Sequence, residues 1–447
     1  MLLAAAGARR LPLLFAPSRA ALAPLSAAAI AAPHAATRTP TTRTAPTTMS
    51  LSSSAPVHQE SAHKLCMIPG PIEFHDDVLA QMATPATSHV DPSFIGEFGA
   101  SLEMLRKIFK SAKGQPFIVA GSGTLGWDMV AANLVEPGEN ALVVNTGLFG
   151  DRFGECLQVY GAKVTHLHAP AIGAIPAHDE VVKAVKAQKY KVVTITHVDT
   201  STGVLQDVKT LAKLIRDASP STLVIVDGVC SVGGEDLDMD AWGVDVVLTA
   251  SQKALGCPPG LCVVVASERA MQSFQTRVAP PTAYYASWAK WTPIMQAYEA
   301  RKPSYFATPA VQTIKALHTS LQQLVAKPLA ERYAQHVRIS DHVKQTVLGW
   351  GLKLVPTDYA HAAHTLTAVY YPEGVAGPAL LGALSGKGVV VAGGLHPKIA
   401  PTYFRIGHMG LSATHEAELK HIEQTLKHLE SALREQGFAP KNATKAK

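Results

Sequence analysis

From about residue 117 to 265, short apolar, β-branched runs alternate with helical stretches, and this constrains the chain more than any other feature. The runs include Phe117–Ala120, Ala141–Val144, Val192–Thr196, Leu223–Val226 and Val244–Leu248. Runs without polar alternation suit strands buried on both faces, and helices between them predict a mostly parallel sheet covered on both sides. In such a sheet, functional groups gather beyond the carboxyl ends of the strands. Two chemistry-bearing residues fall there: Asp227 directly after Val226, and Lys253 a short turn past Leu248.

A carboxylate and an amine brought to one pocket suit pyridoxal phosphate chemistry. A lysine forms the Schiff base that holds the cofactor aldehyde, and an aspartate keeps the pyridine nitrogen protonated so that the ring withdraws electrons. The pair alone reads equally well as a turn cap and a surface lysine.

Upstream, Phe117–Ala120 runs into Gly121-Ser-Gly-Thr-Leu-Gly126 and an Ala-rich helix to Val135. A dinucleotide site built on these glycines needs an acidic residue after the next strand, which ends in Asn145 instead. What remains is a phosphate cradle of backbone N–H groups at a helix start, with the Ser122 and Thr124 hydroxyls nearby. Phe149, between two glycines, is expected on a loop at the crevice rim, stacking on a planar ring or folding back onto the core. The strand ending at Thr196 leads into His197-Val-Asp-Thr-Ser-Thr-Gly203, whose hydroxyls also reach the crevice, and Asp207 is positioned to cap a helix through Ala218. Arg405, in a strand-like stretch, would hold an α-carboxylate by two parallel hydrogen bonds; in isolation it reads as a surface arginine.

Net charge bears on partners. Of the formal +6, five arginines (Arg9, Arg10, Arg19, Arg38, Arg43) precede Glu60, the first acidic residue, so the remainder carries 6 − 5 = +1. A nearly neutral body without a basic, aromatic-interleaved patch argues against nucleic acid, and no segment reads as a membrane span. Residues 1–60, free of acidic side chains up to Glu60 and rich in Ala, Ser, Thr, Pro and Arg, read as a mitochondrial transit peptide, with Met49 a second start giving an untargeted form. The terminal Lys445-Ala-Lys447 does not match a peroxisomal signal. Cys66, Cys156, Cys230, Cys257 and Cys262 fit neither zinc nor disulfide spacing and are expected to be reduced thiols.

Seven blocks in order give a further reading: PGPI at 69–72, GSGTLG at 121–126, TGLFGDR at 146–152, HVDTSTGVL at 197–205, VDGVCSVGG at 226–234, SQKALGCPPG at 251–260 and FRIGHMG at 404–410. Together they resemble the class V, fold-type I aminotransferases from about residue 64 to 437. The resemblance implies an α/β fold: a large domain with a mostly parallel seven-stranded sheet flanked by helices, and a smaller C-terminal α/β domain. The implied division is an N-terminal arm at 61–80, the large cofactor domain at 81–320, the small domain at 321–437 and a tail at 438–447.

By the same resemblance, Lys253 would bear the cofactor, Asp227 would pair with its ring nitrogen and Phe149 would stack on the ring. Ser122, Gly123, Thr124 and Gln252 would serve the phosphate side, Thr200 the ring oxygen, and Val229 would complete the cofactor set. Arg405 would take the substrate carboxylate. Tyr305 and Thr308, in Ser304-Tyr-Phe-Ala-Thr-Pro309, would reach the phosphate of a neighbouring subunit, implying a homodimer. Relatives often carry Trp where Phe149 stands and His where Thr124 stands. The implied reaction moves the amino group of a small amino acid, alanine or serine, to the 2-oxo acid glyoxylate in a ping-pong cycle; another class V transaminase is the nearest alternative. A cysteine desulfurase would need a small-domain cysteine, and none follows Cys262. A dehydrogenase is weakened by Asn145, and a non-catalytic scaffold has no need of Lys253, Asp227 and Arg405 together.

Overall fold

The computed structural model describes residues 63–441, so the stretch at 1–60 expected to be a transit peptide, and the residues after 441, lie outside the described residues. Seven strands form the main sheet: β1 (Gln115–Ala120), β2 (Asn140–Asn145), β3 (Lys163–His168), β4 (Val192–Thr196), β5 (Leu223–Asp227), β6 (Val246–Ala250) and β7 (Leu261–Ala266). Their order is β1-β7-β6-β5-β4-β2-β3, with β7 antiparallel to both neighbours. Every residue of β4, β5, β6 and β7 is buried, as expected of strands covered on both faces, while β3 at the edge carries exposed positions.

Register aligns the strand tips. Thr196 lies beside Asp227, and Asp227 beside Leu248. Ala120, Asn145, Thr196, Asp227 and Ala250 therefore end on one edge of the sheet, and the loops that follow them build one crevice. β6 starts two residues later than the apolar run suggests. The cause is Asp245, whose buried carboxylate accepts from the Val224 N–H at 2.7 Å and from Arg269 Nε at 2.7 Å.

Helices cover the sheet. α1 (Pro92–Phe109) starts where the Asp91 carboxylate accepts from the Ser93 N–H at 2.9 Å, a cap worth about 1 kcal/mol, and buries Phe94, Phe98, Leu102, Leu105 and Phe109. α2 (Thr124–Leu134) follows the glycine loop, α3 (Leu148–Val159) follows β2, and α4 (Val208–Ala218) is capped by Asp207 as expected. α5 (Val311–Val325) keeps its apolar face in the larger core, whereas Ile339, Val343 and Val347 of α6 (Leu329–Gly349) belong to a second core. The packing thus passes from one core to the other between Leu324 and Ile339.

The second core backs a small antiparallel sheet of β8 (Leu366–Tyr370), β9 (Ala392–Gly393) and β10 (Tyr403–Gly407), with β10 in the middle. The N-terminal arm packs on the same core through a separate two-stranded sheet, in which Leu65–Cys66 pairs in parallel with Val389–Val390. Read from sequence alone, Thr414 to Gln436 predicts one continuous helix closed by Gly437; the structure breaks it. Lys420 takes φ 57°, and the Glu416 carboxylate accepts from the N–H groups of Ile422 and Glu423 at 2.8 and 2.9 Å, starting α7 (His421–Glu435) afresh. All five cysteines are free thiols, and among the described residues no helix is long and apolar enough to cross a membrane.

Candidate active site

The ring end of the crevice is built from β5, α2 and α3. Asp227 ends β5 almost fully buried; its Oδ1 accepts from the Val229 N–H at 3.0 Å and its Oδ2 from Trp127 Nε1 at 2.9 Å. Burial pushes the carboxyl up to about 6; the two hydrogen bonds and Lys253 oppose this, and Asp199 adds to it. Phe149 lies in the first turn of α3 rather than on a loop, half-buried, with its ring edge-on to Trp127 at 6.3 Å. Asn145 shapes that turn. Its amide donates to Asp151 and to the His166 ring, and its oxygen accepts from the Gly147 N–H at 3.0 Å.

Lys253 follows β6 and reaches towards the N-terminal arm, where its Nζ donates to the Pro69 carbonyl. Gly70 takes φ 103°, a conformation that residues with a side chain rarely adopt, and a Cβ there would sit 2.6 Å from that Nζ. Read from sequence, the arm lies either over a pocket mouth or across another subunit; within this chain it lies over Lys253. Lys253 makes no ion pair among the described residues, so its amine is tied only to a neutral acceptor.

Arg405, in the middle of β10, is buried. Nε donates to the Gly393 carbonyl at 2.9 Å and Nη1 to the Thr200 carbonyl at 3.2 Å. Burial lowers its pKa, and Tyr403, Cys230 and Asp199 oppose that. No carboxylate among the described residues pairs with it. A buried guanidinium held by two carbonyls and lacking a counter-ion is a ready receptor for a ligand carboxylate.

The phosphate end is more open. Gly123 sits at the N-cap of α2 without any side-chain cap; the Leu125 and Gly126 N–H groups turn back to the Ser122 and Gly123 carbonyls at 3.0 and 2.9 Å, which leaves the Thr124 N–H for an anion, and Ser122 and Thr124 are exposed beside it. A Cβ on Gly123 would lie 3.0 Å from Val229 Cγ2 and 3.2 Å from the Ala250 Cβ, so the loop is pressed against the turn that follows Asp227. Gln252 Oε1 is buried with no hydrogen-bond partner. Tyr305 and Thr308 are exposed and 3.4 Å apart, hydroxyl to hydroxyl, with the Tyr305 ring 5.1 Å from His89; neither bonds to the glycine loop.

Three contributors escape a reading of the sequence. Trp127 is hidden in an apolar helix, and its signal is chemical: a buried indole N–H needs an acceptor. Pro69 acts through its backbone carbonyl, which any residue carries. Asp199 is fully buried, its Oδ1 accepts from the Ser201 N–H at 2.9 Å, and the Ser201 hydroxyl accepts from the Leu148 N–H at 3.0 Å, tying the start of α3 to the loop that carries Thr200.

This geometry defines a class. The chain belongs to the class-V aminotransferases: the aminotransferase class-V family matches residues 73–416. Members of that class depend on pyridoxal phosphate, and this chain is a pyridoxal phosphate-dependent aminotransferase. It is similar to alanine–glyoxylate aminotransferase 1 of Saccharomyces cerevisiae, 42% identical over 360 residues that cover 78% of this chain and 92% of the relative. L-aspartate–glyoxylate aminotransferase of Paracoccus denitrificans is 32% identical over 77% of this chain and 85% of its own length. Among solved structures, alanine–glyoxylate aminotransferase from Nostoc sp. superimposes with a TM-score of 0.77 at 29% identity, covering 84% of this chain and 96% of that one.

The residues present fit the cofactor. The uncapped helix start at Gly123, the unpartnered Gln252 Oε1, the buried Asp227 carboxyl and the Lys253 amine with only a carbonyl partner supply an anion cradle, a spare acceptor, an acid for a ring nitrogen and a nucleophile.

Proposed function

We propose that this chain transfers the amino group of a small amino acid to glyoxylate, with alanine the first donor and serine the second. The observation that carries the reading is Arg405. Its fork is anchored through Nε and one Nη1 hydrogen bond, which leaves the rest to grip a substrate carboxylate in two parallel bonds. The relatives support the acceptor more firmly than the donor. Their names share glyoxylate and differ between alanine and L-aspartate.

In the proposed mechanism Lys253, Asp227, Phe149, Thr200, Val229, Ser122, Gly123, Thr124 and Gln252 hold pyridoxal phosphate. When bound, it supplies an aldehyde that takes up the amino group and a ring that accepts electrons as the Cα proton leaves. Lys253, released from the Pro69 carbonyl, moves the proton at Cα. Asp227 holds a proton at the ring nitrogen, and Val229 and Trp127 keep its two oxygens in place. Arg405 fixes the substrate carboxylate, so the Cα–H bond is presented in one orientation. Return of the amino group to a second 2-oxo acid completes a ping-pong cycle.

The exposed Tyr305 and Thr308 support a homodimer in which each subunit completes the phosphate site of the other. The acid-free, arginine-bearing leader supports mitochondrial import, with Met49 as the start of an untargeted form. A matrix of half-reactions read from the cofactor spectrum tests the substrates. Alanine is expected to convert the cofactor fastest and glyoxylate to restore it; conversion by aspartate alone would overturn the donor assignment. Two bands in mitochondrial and cytosolic fractions would support both starts, and a single mitochondrial band would exclude the second.

A further inference from the structure

We propose that Trp127 is a positioning residue of the reaction: its indole N–H fixes the Asp227 carboxylate, and its ring braces Phe149, so one side chain aligns the two groups expected to meet the cofactor ring. The proposal rests on the pyridoxal phosphate assignment and adds a residue that makes no contact of its own with substrate.

The geometry carries it. Trp127 lies one turn into α2, directly after the loop assigned to the phosphate, and is almost fully buried. Its ring stacks on Phe153 of α3 with centroids 5.6 Å apart and planes 18° from parallel, and its other side meets the Phe149 edge at 6.3 Å. The indole is therefore locked, and its N–H can point only where the stack allows. It points at Asp227 Oδ2 at 2.9 Å, while the Val229 N–H takes Oδ1. The terminal torsion of an aspartate is broad, so a single bond would let the carboxyl plane swing; two bonds to separate oxygens fix it. The same helix start thus serves the phosphate, the ring nitrogen and the stacking aromatic.

Electrostatics add a second role. Burial disfavours the carboxylate, Asp199 on the neighbouring loop disfavours it further, and Lys253 favours it. The Cys262 thiol on β7 is kept neutral by burial and contributes no opposing charge. Against that balance, the Trp127 and Val229 donors are what hold Asp227 ionised near neutral pH. Losing the indole donor raises the Asp227 pKa above its value of about 6.

The test compares wild type with Trp127→Phe, which keeps a ring against Phe153 and removes the N–H. Melting temperature of the cofactor-free protein is measured from pH 4 to pH 8. The variant is expected to lie close to wild type at pH 4, where the carboxyl is protonated in both, and to fall progressively below it as pH rises through 6. In an Asp227→Asn background that pH-dependent gap should vanish. In the loaded enzyme the cofactor dissociation constant should rise about 10-fold, and the acid limb of kcat/KM should move up by about one pH unit while KM for the amino acid changes little. A gap that is the same at every pH, or that persists with Asp227→Asn, overturns the proposal and reduces Trp127 to packing. So does a normal gap with unchanged cofactor affinity and pH profile. If wild type itself takes up no cofactor that borohydride can fix to Lys253, the functional reading falls first, and that result is read independently of the variant. Should Trp127→Phe not fold, Trp127→Leu, which also lacks a donor, carries the same comparison.

Discussion

At the ring end of the crevice, Asp227, Trp127 and Arg405 are 2%, 5% and 9% exposed and each is bonded within the one chain; at the phosphate end Tyr305 is 62% exposed and Ser122, Thr124 and Thr308 lie open. The contrast separates two kinds of work. A proton at a ring nitrogen and a substrate carboxylate must be held to a few tenths of an ångström in low dielectric, which demands fixed partners from the same core. A phosphate needs many donors and tolerates adjustment, so part of its shell can come from elsewhere. The homodimer proposed above is the natural source.

The largest effect is expected at Lys253, the residue to which the proposed mechanism gives the proton transfer. Lys253→Ala is expected to lower kcat by at least about 10⁴-fold and to leave no borohydride-fixable cofactor on the chain. Residual turnover near wild type would show that the ring end is not the reacting end. Asp227→Ala follows, with a loss of about 10²–10³-fold in kcat, as for other single electrostatic contributors, while the protein still folds.

Arg405→Lys sharpens the same side, because a lysine lacks the planar fork. KM for the amino acid should rise roughly 10- to 100-fold with a smaller change in kcat, and an unchanged KM would remove Arg405 from the site. At the phosphate end Thr308→Ala and Tyr305→Phe should weaken cofactor binding by about tenfold or less. That difference from wild type should shrink as both proteins are diluted below the dimer dissociation constant, where neither receives the partner's side chains. Concentration-independent loss would mean that each chain completes its own site.

The smallest expected effect is on the pH dependence of folding. Asp227 has a folded pKa raised from 3.8 to about 6, so the native state of the cofactor-free protein binds more protons than the unfolded chain between those values. The Asp227 contribution to stability should therefore be greatest below about pH 4, fall by roughly 3 kcal/mol as pH rises to about 6, and stay level above, against the opposite trend of His197, His336 and His408, which burial keeps neutral and which favour the fold as pH rises. Asp227→Asn should flatten that slope, as calorimetry across pH would register.

Much of the ring end was legible in the sequence because strand tips announce themselves. β-branched runs that stop at Asp227, and a lysine just beyond the next run, need only the rule for parallel sheets to meet in one place. The fold class and most strand limits followed from the same runs. Other details did not. Asp245 moved the start of β6 by taking a hydrogen bond from β5, Lys420 divided the last helix, and Phe149 entered a helix because Asn145 and Ser201 together shape and bond the turn before it. Each depends on a partner far away in sequence, which no local pattern encodes.

What the sequence determined by itself is the list of reactive groups and the edge of the sheet where they gather, since apolar periodicity and strand order are properties of the chain read in one direction. The tertiary structure alone decided which partners those groups have: the Pro69 carbonyl over Lys253, the Trp127 indole on Asp227, and the Gly393 and Thr200 carbonyls on Arg405. The reason is geometric. A hydrogen bond is made or lost within about half an ångström, and a buried partner is chosen by how several elements pack at once, so it is fixed only when the whole core is in place.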